Sequence, residues 1–139
     1  MLTKVIWIVV GVCIGSTHTF AETRAEEAIR LSTLTVSAIE CSVLSSDSSD
    51  AKRLGEIGIA AGKKFLELIP TLSAEERKSS EEHISVLWRQ VSGYNSDFVM
   101  GRMWQEILTN VYWSLGDKTK EWDGNKRKKY LDKNCMIIR

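Results

Sequence analysis

Apolar residues recur along the chain at intervals of three and four, and they almost nowhere alternate with polar ones. That spacing follows the helical period and not the two-residue period of a half-buried strand, so an all-α fold is expected. The first helix should cover residues 23–44, with Ala28, Leu31, Leu34, Ala38 and Cys41 on one side and Ile29, Val36, Ile39 and Val43 widening the buried face. Cys41 then points into the core. Residues 45–50, Ser-Ser-Asp-Ser-Ser-Asp, are types that bond their own backbone and favour turns and caps, so a loop is expected there.

The second helix is expected over residues 50–69, where Leu54, Ile57, Gly58, Ala61, Phe65, Leu68 and Ile69 share a face. Gly55, Gly58 and Gly62 lie inside it, and each costs up to about 1 kcal/mol relative to alanine. Close approach of another helix would offset that loss. Glu56, Lys63 and Lys64 exclude a lipid-facing reading of the Gly58-xxx-Gly62 pair, and no preceding strand or following Gly-Lys-Ser/Thr makes the glycines a phosphate loop.

Pro70 should end this helix. Ser73 with Glu76, or Ser79 with Glu82, supplies a capping box for a third helix whose inward stripe is Ile84, Leu87, Trp88 and Val91, closed by Gly93. Ser96 is the expected cap of a fourth, with Asp97 in its first turn and a stripe of Met100, Met103, Trp104, Ile107, Leu108, Val111 and Leu115. A charged connection after Gly116 leads to a short helix near residues 125–132 and a tail containing Cys135. The expected architecture is a compact bundle of four to five helices.

Residues 1–21 stand apart from this domain. Lys4 precedes an apolar run over residues 5–14, followed by small and polar residues to Ala21, the layout of a cleavable signal peptide with Thr19 and Ala21 at the cleavage positions. The run is about half the length needed to span a bilayer, so no stable membrane insertion is expected after cleavage. Cys13 follows Val12 instead of a small residue, which argues against lipidation. The mature domain is then residues 22–139, in the periplasm or secreted.

Of three cysteines, Cys13 leaves with the leader, and Cys41 and Cys135 form an even pair that reads as one disulfide in an exported chain. The closed loop of about 95 residues corresponds to a stabilisation on the order of 4 kcal/mol.

With 139 residues, 43% of them hydrophobic, and a single proline, the composition fits one domain. Lys and Arg total 19 against 18 for Asp and Glu, which leaves no charge excess pointing to nucleic acid or an anionic membrane. His83 is the one histidine of the mature chain, so a two-histidine zinc site is excluded; a solvated place at the start of a helix explains it. No free thiol, Gly-x-Ser-x-Gly elbow or cofactor-binding pattern is present, and no catalytic, cofactor-binding or metal-binding residue is assigned. Carboxylate pairs are set by three-dimensional separation and leave a hydrolase open.

Aromatic residues gather in the second half of the chain. Trp88 and Trp104 fit core stripes, whereas Tyr112 and Trp113, about 100° apart on a helix, cannot both face inward. Together with Trp122, Lys126, Arg127 and Lys128 they form the candidate partner-binding set, aromatic area beside basic charge. Lys126 to Lys129 are adjacent basic residues that also suit a helix end. Arg53 and Arg102 interrupt core-like segments and are expected to be structural, with Glu40 and Asp97 as candidate partners.

Glu40-Cys41, Arg53-Leu54 with Gly58, Gly62 and Phe65, Phe98-Val99-x-Gly101-Arg102, and the terminal Asn134-Cys135 together resemble a group of small signal-peptide-bearing bacterial proteins of uncharacterised function. The resemblance spans most of the mature chain. It implies an exported helical domain with a cysteine pair and brings no activity. Two classes of function follow: a non-enzymatic protein that binds a protein partner in the bacterial envelope, in an inhibitor or immunity-like role, or a small envelope hydrolase with an unrecognised carboxylate site. A structural subunit of an envelope complex is a third. The missing nucleophile, metal set and histidine pair favour binding.

Overall fold

Two long helices joined by three residues fold back on each other at the centre of the molecule. In the computed structural model, which describes residues 22–116 and 121–139, these are α1 (Arg24–Leu44) and α2 (Ser48–Leu68). A reciprocal capping box opens α1: the Thr23 hydroxyl accepts from the Glu26 N–H, and the Glu26 carboxylate accepts from the Thr23 N–H at 2.8 Å. That exchange holds the Glu26 carboxyl below its ordinary range, chiefly through the backbone N–H of Thr23. Asp47 caps α2 by accepting from the Asp50 N–H at 2.7 Å. The polar run after α1 is therefore less of a loop than expected. Its second half is the first turn of α2, which begins before residue 50.

The helices approach closely where the glycines lie. A Cβ on Gly58 would stand 2.7 Å from Ile39 Cγ1 and 3.2 Å from the Thr35 carbonyl oxygen, so only hydrogen fits between α2 and α1 there. Gly62 makes the equivalent space for the Met100 side chain of α5 (Ser96–Ser114). The expected compensation for helical glycines is thus helix contact on two sides. The pairing of Gly58 with Ile39 and Gly62 with Thr35 makes α1 and α2 antiparallel.

Helix α5 lies against this hairpin and contributes Val99, Met100, Met103, Ile107 and Val111 to the core beside Leu31, Ile39, Leu44 and Phe65. Hydroxyls buried in the α1–α2 interface are satisfied on main-chain carbonyls: Thr35 donates to Leu31 O at 2.7 Å and Ser42 to Ala51 O at 2.6 Å. Among the described residues no buried side-chain N or O lacks a partner.

The third expected helix is divided. After the 3-10 turn Ile69–Thr71, α3 (Ala74–Glu81) begins at the Ser73–Glu76 capping box and buries only Ser80; the chain then turns through residues 82–86 and forms the single-turn α4 (Leu87–Gln90). The reason lies in the order of residue types. The turns of α3 are almost wholly polar, and Ile84, Leu87, Trp88 and Val91 all follow them, so a continuous helix would carry its apolar stripe beyond the core. The turn brings Trp88 inward, where its indole N–H donates to Ser32 O. His83 is exposed in this turn and not at a helix start. The cap of α5 is Asn95, one residue before the expected Ser96; its side chain accepts from the Phe98 N–H at 2.9 Å.

The last helix, α6 (Trp122–Asp132), starts three residues earlier than expected and is followed by its cap Lys133 and then by Asn134, at φ +53°. Asparagine is among the few residues that tolerate this left-handed conformation. It directs Cys135, at the start of the 3-10 turn Cys135–Ile137, into a buried disulfide with Cys41, Cα–Cα 5.5 Å. Cys41, Cys135 and Leu54 form a second small core covered by Tyr130 and Ile138. The described residues thus form six α-helices and no strand. The expected leader and its cleavage after Ala21 lie outside the described residues, as does the connection 117–120.

Candidate functional site

Three surfaces carry chemistry that packing does not consume. The first is at the C-terminal end of α5. Leu115 and Val111 are buried there, which turns Trp113 outward to 83% exposure. Tyr112 stacks on Trp122 of α6 with ring centroids 5.3 Å apart, so these aromatics join the two helices while Trp113 stands in solvent beside them. Both Tyr112 and Trp113 are therefore on the surface.

The basic run does not lie on one side of this surface. Lys126, Arg127, Lys128 and Lys129 follow one another at 100° and so circle α6. Lys126 is one turn after Trp122, and Lys129 donates to Ser114 O at the end of α5. Arg127 instead lines a recess with Asp47, Asp50, Asp123 and Tyr130, while Lys128 is exposed. Trp122 and Lys126 belong with Tyr112 and Trp113; Arg127 belongs to a different wall.

That recess, about 570 Å³, is the second surface. Asp50 accepts from the Tyr130 hydroxyl and from Arg53 Nη2 at 2.7 Å, and Arg53 Nη1 donates to Ile138 O at 2.6 Å. The Tyr130 hydroxyl first, then Arg53, holds the Asp50 carboxyl below its ordinary range, and the same carboxylate pushes the Tyr130 hydroxyl up. A carboxylate so occupied is a weak base at neutral pH, and the network is suited to holding the tail rather than to proton transfer. Arg53 is structural as expected, but its partner is Asp50. Glu40 pairs with Lys133 at 2.7 Å and Asp97 with Lys63 at 2.6 Å. Among the described residues no cluster of His, Cys, Asp and Glu is arranged to hold a metal ion.

The third surface was not foreseen. A trough of about 590 Å³ opens between the C-terminal end of α2, helices α3 and α4, and the start of α5. Phe65 and Trp88 form its floor with ring centroids 4.4 Å apart, and Arg77 and Arg89 stand on its rim. The apolar side of α2 is wider here than one stripe, since Leu66 and Ile69 join Phe65, and that extra width is the signal the sequence offered.

Comparison of the chain with protein-family models, with curated proteins and with solved structures finds no match.

Proposed function

We propose that this chain is an exported, non-catalytic protein that binds a protein partner in the bacterial envelope, in the manner of a small inhibitor or immunity protein, through the Trp113 end of α5 and α6. One observation carries the reading: a tryptophan held 83% exposed on a helix whose opposite face is fully buried. Large aromatics on rigid elements supply much of the binding energy at interfaces at little entropic cost. Tyr112 and Trp122 extend the apolar area, and Lys126 adds basic charge that speeds encounter with an acidic surface, whereas Lys128 points to another side of α6.

The Cys41–Cys135 disulfide supports this compartment, since such bonds persist in oxidising surroundings. No described helix is long and apolar enough to cross a membrane.

The test is expression with the native leader, mass measurement of the periplasmic form, and recovery of bound protein by the wild type and by Trp113→Ala. The expected result is a chain starting at Glu22 and a stoichiometric partner that Trp113→Ala loses while its unfolding temperature is unchanged. Full-length protein in the cytoplasm overturns export, and equal retention by both forms moves the interface away from Trp113.

A further inference from the structure

At the opposite end of α5 from Trp113, the trough between α2, α3 and α4 has the properties of a second recognition surface. Its floor is aromatic and aliphatic, with Phe65, Ile69, Ile84 and Trp88 buried or half-buried along it. Its apolar character continues outward. Phe98 lies across Gly93 on the rim, its ring 6.4 Å from that of Tyr94, and Tyr94 and Val86 are both solvent-exposed. The trough is open to solvent and not an enclosed cavity, so it suits a chain segment laid onto it more than a buried small molecule.

Charge selects what that segment carries. Arg77 donates through Nε and Nη2 to Leu72 O at 3.2 and 3.1 Å, and Arg89 donates through Nη2 to Glu81 O at 2.6 Å. Main-chain carbonyls thus fix both guanidiniums in place, and among the described residues neither is ion-paired with a carboxylate. Each keeps N–H groups for a further acceptor, in the planar geometry that matches a carboxylate. Glu81 puts one negative charge on the same rim, which stays net positive.

We propose that this trough binds a segment of a partner protein in which two or more large apolar side chains lie within one helical turn of an aspartate or glutamate. The apolar side chains would cover Phe65 and Trp88, and the carboxylate would meet Arg77 or Arg89. This site is separate from the Trp113 face and stands whether or not that reading holds.

The experiment is selection of a random peptide display library on the immobilised, disulfide-bonded chain, followed by affinity measurement with the enriched peptides. Sequences combining apolar residues with Asp or Glu at spacings of three or four should be enriched. The double variant Arg77→Gln/Arg89→Gln should weaken their binding about tenfold or more, the range for hydrogen bonds to charged groups. Ser92→Trp, which fills the trough from an exposed position and leaves the core alone, should abolish binding with the unfolding temperature preserved. Trp113→Ala should leave it unchanged. Enrichment of neutral or basic sequences, absence of enrichment, or binding indifferent to Ser92→Trp overturns the proposal.

Discussion

Tyr130 on α6 donates its hydroxyl to Asp50 in the first turn of α2, eighty residues away in sequence. Asp50 also accepts from Arg53, which itself donates to Ile138 O, so one carboxylate ties the last helix and the tail to the central hairpin. The cross-link is polar and sits beside the Cys41–Cys135 disulfide, which fastens the same tail covalently.

That network should shape stability at both ends of the pH range. Asp50 titrates below its ordinary value when folded, so its contribution is complete above about pH 4 and is lost as pH falls through the lowered value. Tyr130 titrates above its ordinary value, so its contribution is complete below about pH 10 and is lost as pH rises through the raised one. Tyr130→Phe should therefore lose most stability relative to wild type near neutral pH, with the gap closing toward both extremes. Urea midpoints across the range check this. Glu26 and Glu76 steepen the acid limb of both proteins equally and cancel in the difference.

Two glycine replacements should have opposite signs. Gly58→Ala gains up to about 1 kcal/mol of helix propensity but drives a methyl into Ile39 and the α1 backbone, and such overpacking costs about 1–3 kcal/mol, so net destabilisation is expected. At Gly101 on the exposed side of α5 nothing lies within 4 Å of the added Cβ, and Gly101→Ala should stabilise by about 0.5–1 kcal/mol. Thermal unfolding of both decides whether helix approach is what keeps Gly58.

The sequence made the helices legible because their apolar stripes are long. The stripes of α1, α2 and α5 repeat over five turns, and Met103, Ile107 and Val111 are buried where the period puts them. The segment 82–95 was not legible, since its apolar residues are too few to distinguish one helix from a turn followed by a single helical turn. Residue spacing also left two ion pairs undecided: Glu40 with Lys133 and Asp97 with Lys63 are set by how elements cross, which periodicity along one helix does not encode, whereas Arg53 pairs with Asp50 three residues away within α2. The trough escaped for a related reason. Phe65 and Trp88 satisfy the same apolar pattern whether a neighbour covers them or leaves them as the floor of an opening.

Asn134 is a backbone requirement. At φ +53° a β-branched residue meets its own carbonyl, so Asn134→Val should destabilise by about 1–2 kcal/mol, whereas Asn134→Gly should be tolerated. Denaturant titration of the two variants separates conformation from side-chain chemistry, because glycine keeps the first and removes the second.

The disulfide should decide whether the tail stays docked. Cys135 is fully buried against Cys41 and Leu54, so replacing both cysteines with serine removes a loop constraint and leaves two hydroxyls in an apolar pocket. Each effect is destabilising, and together they should lower stability by roughly 2–5 kcal/mol. The Tyr130–Asp50–Arg53 contacts remain available, so the loss should fall first on the tail: hydrogen exchange should quicken across α6 and residues 133–139 before it quickens in α1 or α5. Peptide mapping without reductant should yield one Cys41–Cys135 linked pair from the wild type. Free thiols there, or uniform loss of protection across all helices in the variant, would show that the bond does not serve as the anchor of the tail.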